Sequence, residues 1–308
     1  MRCNMDFTYK ITVFTPTYNR ANTLPRVFEG LKKQTYRNFE WIIVDDGSSD
    51  DTQNVIRGFQ EEAPFFPIVS RHQQNSGKHV AINRAVEIAR GEFFIILDSD
   101  DTCTPDALEV FLREWEKIPE KEKFCGISCR CRDLDGNVVG TPMESPYLDA
   151  TELDYKLVHK IKGELWGMTR TDILRENPFP EEKGLHFYPE NIYWNNLGRR
   201  YLTRYLNAAL RCYINDTDNA ITASRRLDAM KETFFMRVHY INECWDYARY
   251  DLPRFLFQFV GLSRDGLTYG HGFRKICAIP NTAFKRLLAV LAFPVGYLLY
   301  IRSKRKLS

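Results

Sequence analysis

Five consecutive large apolar residues, Phe93-Phe94-Ile95-Ile96-Leu97, run straight into Asp98-Ser99-Asp100-Asp101. A run that apolar, entered from Gly91, predicts a strand buried on both faces, the kind found inside a parallel sheet. Such a strand ends where its sheet meets solvent. Three carboxylates within four positions at that end repel one another unless a cation or several donors neutralise them. Hard oxygen ligands of this kind suit Mg²⁺ or Mn²⁺, and open α/β sheets bind ligands outside the carboxyl ends of their strands. Helix capping is the competing explanation. Thr104-Pro105-Asp106 reads as the N-cap, N1 and N2 of a following helix, which accounts for Thr104 and Asp106 but gives Asp98 and Asp100 no reason to follow a buried strand.

Upstream, the same pattern occurs three times. Ile11 to Phe14 predicts a strand that runs into Thr15-Pro16-Thr17-Tyr18-Asn19-Arg20, with Asn22 or Thr23 capping a helix through Leu24, Val27, Phe28 and Leu31. Glu40 to Val44 predicts a second strand, Asp45-Asp46-Gly47-Ser48-Ser49 a turn, and Asp50 to Glu62 a helix. A third strand near Ile68 to Arg71 leads through Asn75-Ser76-Gly77-Lys78 into a helix that Gly91 ends. Three strand-helix units feeding a fourth strand predict a right-handed parallel sheet. Its carboxyl-end edge collects Thr15, Pro16, Thr17, Tyr18, Arg20, Asp45, Asp46, Gly77 and Lys78 beside Asp98, Ser99 and Asp100. Neither a Gly-x-Gly-x-x-Gly fingerprint nor a P-loop is present. Asp45 or Asp46 can accept from a base N–H or a ribose hydroxyl, and Lys78, at a helix start, can face phosphate. Taken singly, Asp45 to Ser48 is turn chemistry and Lys78 a solvated lysine; gathered at one edge they describe a nucleotide site.

Thr15 to Arg20, Val44 to Asp50, Asn75-Ser76-Gly77 with Asn83, and Ala89 to Glu92 leading to Leu97 to Asp101 stand in the order of the signatures of the family 2 glycosyltransferases, which the chain resembles over residues 9 to 115 and more weakly to about 215. The resemblance implies the GT-A (nucleotide-diphospho-sugar transferase) fold: a three-layer α/β/α sandwich with a mostly parallel central sheet, here with a helical C-terminal extension. It implies a nucleoside-diphosphate-sugar donor, a UDP-sugar first. Asp46 would face the base, with Asn83 among the donor-binding residues; Asp98 would lie near the ribose or diphosphate, and Asp100, with Asp98, on Mg²⁺ or Mn²⁺. The expected domains are 1–215, with 9–115 binding the nucleotide-sugar and 116–215 the acceptor, and 216–308.

In the second half, Phe124 to Arg132 predicts a strand, Asp133 to Asn137 a hairpin turn, Val138-Val139 the return, and Leu165 to Met168 a further strand with Thr171 capping a short helix. Inverting transfer requires a base for the acceptor hydroxyl. Glu190, after Pro189 at an apparent helix start, is the candidate. The family shows two adjacent acids here, and this chain has Asn191 at the second. An acid placed on a helix dipole explains Glu190 equally well. Glu164, Glu181, Glu182 and Asp172 are weaker candidates, and His186 reads as a structural or acceptor-contacting residue. Arg199-Arg200-Tyr201 does not reproduce the Gln-x-x-Arg-Trp signature of processive synthases, so addition of a single sugar to a glycan or lipid-linked acceptor is expected.

The formal net charge of +3 hides an asymmetry: from Gly270 onward every charged residue is basic, leaving a net acidic body that is a poor nucleic-acid binder. Leu227 to Tyr250 predicts a helix. Lys285-Arg286, the apolar run Leu287 to Ile301 and the basic residues Arg302, Lys304, Arg305 and Lys306 follow. That run, interrupted by Pro294 and Gly296, is short for a membrane span and suits a helix or re-entrant hairpin lying on an anionic membrane surface, with 285–306 as the attaching tail; a core helix with a solvated basic end is the alternative. No secretory leader opens the sequence, and the eight cysteines show no paired framework, so a reducing, cytoplasmic setting on the inner membrane face is expected. Cys125, Cys129 and Cys131 could share a strand face as a zinc cluster, though idle thiols fit better, and the Asn215 sequon carries no weight there. Two rivals stand beside the transferase: a nucleotidyltransferase, which would use a glycine-rich basic loop absent here, and a non-catalytic membrane-attached nucleotide-sugar-binding protein.

Overall fold

The computed structural model describes residues 7–62, 64–181, 187–212 and 224–304; Glu182, His186 and Asn215 lie outside them. Two compact units emerge, Met1–Tyr188 with Asn195–Asp218, and Pro189–Trp194 with Asn219–Ser308. Glu190 therefore groups with the second unit, whereas the expected 116–215 half would have held it.

The first unit is built on one sheet. Strands β1 (Tyr9–Thr17), β2 (Phe39–Asp45), β3 (Ile68–His72) and β4 (Gly91–Ile96) alternate with helices α1 (Leu24–Lys32), α2 (Thr52–Glu62) and α3 (Lys78–Ile88). Then come β5 (Thr102–Cys103), α4 (Ala107–Glu116), β6 (Phe124–Arg132), β7 (Tyr147–Ala150), β8 (Leu165–Arg170), α5 (Thr171–Glu176), α6 (Glu190–Gly198) and β9 (Leu202–Cys212). The spatial order is β3-β2-β1-β4-β8-β6-β9-β5, with β7 on β9. Neighbours among β1 to β4 are parallel, as the three repeats predict. Beyond β4 the sheet is mixed: β8 runs antiparallel to both its neighbours, while β6 and β9 are parallel. Strand β2 is buried at every position because helices cover both faces. Its Trp41 lies against Phe28, Phe59 and Phe66, each such ring contributing about 1.5–3 kcal/mol of burial.

Several boundaries differ from expectation, each for a local reason. Helix α4 is capped at Asp106, and Thr104 instead donates its backbone N–H to the Leu210 carbonyl at 2.8 Å, extending the β5 ladder. Thr171 is the first residue of α5, not its cap, because its hydroxyl is donated to the Gly91 carbonyl at 2.7 Å. The Asp133 to Asn137 turn forms, with Arg132 and Val138 paired across it. Strands β7 and β9 were not foreseen.

The second unit holds the start of α6, then α7 (Ser224–Glu243), a 3₁₀ turn Trp245–Arg249, α8 (Leu252–Thr268), α9 (Phe273–Ala278) and α10 (Ala283–Lys304). Phe234, Ile241, Phe259, Leu262, Ile276 and Ala289 form its core. Helix α10 runs unbroken through Pro294, so no re-entrant hairpin forms. At 22 residues it is long and apolar enough to cross a membrane. Lys285 is not part of an exposed basic flank: it is buried, donating to the Asn242 carbonyl at 3.2 Å and to Asn281 Oδ1 at 2.9 Å.

Candidate active site

Leu97 leaves β4 and the chain turns at once, the Asp101 N–H donating to the Asp98 carbonyl at 3.1 Å. The turn carries its carboxylates to three cations. Asp98 is 2.8 Å from Lys78 Nζ, at the first position of α3, and 3.5 Å from Arg211 of β9. Asp100 is 3.9 Å from Arg20, and its carbonyl accepts from Arg26 at 3.3 Å. Asp101, only 1% exposed, takes Arg211 Nε at 2.7 Å and a second contact from the same guanidinium. Burial opposes ionisation of Asp98, but Lys78 and Arg211 outweigh it and hold the carboxyl below its ordinary value. Arg211 in turn sits above its ordinary value, burial being overcome by Asp98 and Asp101. Nothing in the local pattern of β9 pointed to Arg211; its partner lies 110 residues away.

At the ends of β2 and β3 a second carboxylate pair is held by donors. Asp46 accepts from Gln73 Nε2 and the Ser76 N–H, both at 2.8 Å, and from the Gly77 N–H at 2.9 Å. Asp45 accepts from the Ser48 N–H at 2.9 Å and faces His72 Nδ1 at 3.0 Å. Gly47 makes this possible: its φ is +84°, and a Cβ there would stand 2.9 Å from the Asn75 nitrogen. Asn19, another left-handed residue, ties the first two loops together, its side-chain oxygen accepting from the Ser49 N–H at 2.8 Å and the Asp50 N–H at 3.3 Å. Its φ of +54° suits asparagine, which is the signal that marks it in sequence.

The other expected residues divide. Pro16, Thr17, Tyr18, Arg20, Gly77, Lys78 and Ser99 lie at or directly beyond these strand ends. The Thr17 hydroxyl is buried and has no hydrogen-bond partner among the described residues. Thr15 does not reach the edge: fully buried, it accepts the Trp41 indole N–H at 2.9 Å. Asn83 braces the chain instead of opening toward a ligand, its amide exchanging two 2.9 Å bonds with the Phe179 backbone and donating to Glu181 at 2.7 Å. Glu181 is also held by Arg84 at 2.8 Å. Asp172 is taken by Arg170. Glu190 is the first residue of α6, at the helix start foreseen after Pro189. Burial pushes the Cys125 thiol up to about 11 and those of Cys103 and Cys131 to about 12, which suits resting thiols.

Among the described residues no group of three or more His, Cys, Asp or Glu is placed to hold a metal ion. Mg²⁺ and Mn²⁺ bound with a nucleotide need fewer, taking one or two carboxylates and completing the shell with phosphate and water. Asp98 and Asp100, both partly exposed, supply that number of hard oxygen donors. The donor set fits, provided Lys78 gives way on Asp98.

Residues 12–133 match the family model described as Glycosyl transferase family 2. The chain is 28% identical over 252 residues, 78% of this chain and 94% of the relative, to the "Putative teichuronic acid biosynthesis glycosyltransferase TuaG" of Bacillus subtilis (strain 168). It is 24% identical over 273 residues, 87% of this chain and 79% of the relative, to the GalNAc(5)-diNAcBac-PP-undecaprenol beta-1,3-glucosyltransferase of Campylobacter jejuni. Among solved structures it is similar to S. aureus TarS 1-349 in complex with UDP-GlcNAc, with a TM-score of 0.59 at 16% identity, covering 96% of this chain and 92% of that one. The mannosyltransferase PcManGT from Pyrobaculum calidifontis in complex with GDP-Man and Mn²⁺ gives 0.55 at 17% identity, covering 97% and 88%. At such identities the structural likeness speaks to fold alone, and the fold is GT-A.

Proposed function

The chain is a glycosyltransferase with a family 2 domain on a GT-A fold, and from that premise we propose that it moves one sugar, with inversion, from a nucleoside-diphosphate-sugar to a glycan or lipid-linked acceptor in bacterial-type surface polysaccharide or envelope glycan synthesis. The observation that carries the reading is the acidic turn after β4, whose Asp98 and Asp100 stand beside Lys78 and Arg20 at the same sheet edge as Asp45 and Asp46. The relatives' own names, a teichuronic acid glycosyltransferase and a glucosyltransferase of an undecaprenol-linked acceptor, support the acceptor class.

Residues 1–215 would form the transferase domain and 216–308 an extension, its basic and apolar tail attaching the protein peripherally to the inner membrane face. Asp46 and the loop it organises would receive the base, a uracil first, through N–H donors. Asp98 and Asp100 would hold the divalent ion together with the diphosphate, and a bound ion would neutralise the charge that develops on the leaving diphosphate. Lys78, released from Asp98, would turn its ammonium to phosphate. Glu190 would take the proton from the acceptor hydroxyl as that oxygen attacks the anomeric carbon.

Calorimetric titration with a panel of nucleoside diphosphates, with Mn²⁺ and then with EDTA, tests the reading. Binding of one diphosphate only when Mn²⁺ is present supports it. Absence of binding to every member by a folded sample rejects it.

A further inference from the structure

The second unit carries a face that its own core does not use. On α10 the inward side consists of Lys285, Leu288, Ala289, Ala292, Phe293 and Gly296. The outward side from Leu287 to Leu298 contains Leu287, Val290, Leu291, Pro294, Val295, Tyr297 and Leu298 without one charged group, and Leu291 and Leu298 are 65% and 66% exposed. A helix apolar all round is matched to an apolar surrounding on both sides. Exposed basic residues bracket this face, Arg274 and Lys275 before it and Arg302 and Lys304 after it, which is complementary to anionic lipid.

Length and composition alone permit α10 to cross a bilayer. Its packing does not. Gly296 lies against α8 so closely that a Cβ there would meet Ser263 and stand 2.6 Å from the Val260 carbonyl and 3.2 Å from the Arg264 nitrogen. Immediately beyond that contact, Asp265 is paired with Arg264 at 2.6 Å and with Arg237 of α7 at 2.7 Å, and Arg237 also donates to Gln258 at 2.9 Å. Gly296 falls within about 4 Å of the midpoint of α10 along its axis. A spanning α10 would therefore draw two arginines, an aspartate and a glutamine to the centre of the hydrocarbon, where ionised side chains are costly.

We infer that α10 lies in the plane of an anionic bilayer as a monotopic anchor, its Leu287 to Leu298 face sunk among the acyl chains, its Ala289 and Gly296 face kept on α8, and both ends on the same side. This rests on the peripheral attachment proposed above and adds its geometry.

The full chain carrying a C-terminal tag is mixed with vesicles of phosphatidylcholine with and without phosphatidylglycerol, floated, treated with protease from outside, and washed at high pH. In-plane binding gives flotation only with phosphatidylglycerol, a tag fully open to protease, and release on washing. Substitution of Leu287 and Leu291 by Asp then lowers the bound fraction by about tenfold or more while nucleotide binding in the first unit is kept. The lighter variant with Arg302 and Lys304 changed to Gln weakens binding in the same direction. A protected tag and resistance to washing overturn the in-plane geometry but leave attachment standing. No flotation by a chain that still binds nucleotide overturns attachment itself, as does a pair of Asp substitutions that only splits a dimer.

Discussion

The carboxyl-end edge of β1 to β4 and the outward face of α10 both break a rule of soluble proteins, in opposite ways. At the edge, charge is concentrated and every carboxylate is braced: Asp46 by three donors, Asp98 by two cations, Asp101 by a buried guanidinium. On α10, large apolar groups such as Leu287, Leu291 and Leu298 stand more than half exposed. The edge spends folding energy on holding like charges together, which is useful only if something cationic or phosphate-bearing is to be met there. The face leaves hydrophobic stabilisation unrealised, which is useful only if another apolar phase completes it. One region is preorganised and the other is unfinished.

The sharpest way to break this contrast is at the edge. Asp100→Ala is expected to lower sugar transfer by about a thousandfold or more with an unchanged melting temperature, since Asp100 is partly exposed and Arg20 stands 3.9 Å from its carboxylate; full activity in a turnover assay would remove it from the site. Arg211→Met removes the guanidinium that is paired with the buried Asp101 and is expected to cost about 3–5 kcal/mol in urea unfolding. Adding Asp101→Asn recovers part of that loss, and an unaltered unfolding midpoint in the single variant would mean that the brace is decorative. Glu190→Gln is expected to hold donor affinity in calorimetry while turnover falls by about 10²-fold or more; an unchanged rate moves the base elsewhere.

Effects in the helical unit are smaller. Gly296→Ala pushes α10 off α8 and is expected to destabilise that unit by about 1–3 kcal/mol, read from hydrogen exchange of α8 and α10 with the β1 to β4 amides as internal control. Smallest is a pH effect at Lys285, whose ammonium burial holds below its ordinary value of 10.5. The unfolded chain then binds the extra proton, so the helical unit gains stability as pH climbs from the folded value toward 10.5. Lys285→Met abolishes that slope; the same slope in the variant would assign it to other groups.

The two halves of the sheet were unequally legible, and the reason is physical. A strand covered on both faces by helices is a continuous apolar run closed by turn residues, so β2 and β4 announce themselves, and with them the loops at their ends. Strand β9 hides because its interior includes Arg204, Asn207 and Arg211. Two of these are buried only by virtue of Asp149 and Asp101, 55 and 110 residues away. It is also bulged, Cys129 and Arg130 of β6 standing opposite Leu206 and Ala209, which destroys the two-residue alternation. Asn83, which the family resemblance counts among the donor-binding residues, has its amide on the Phe179 backbone, a partner 96 residues away that no local pattern reveals. The Lys285 side chain looked like a membrane-facing charge until Asn242 and Asn281 claimed it.

The pairing of Arg211 with Asp101 also sets a schedule. During synthesis at roughly 5–20 residues per second, the arginine leaves the ribosome roughly 5–20 s after the aspartate it will neutralise, because 110 residues separate them. Through that interval the turn that follows β4 can meet Arg20 and Arg26, which precede it in the chain, but not the arginine that pairs with Asp101. The nascent chain therefore carries Asp101 before it carries the guanidinium paired with it, and the arrival of β9 completes that pair.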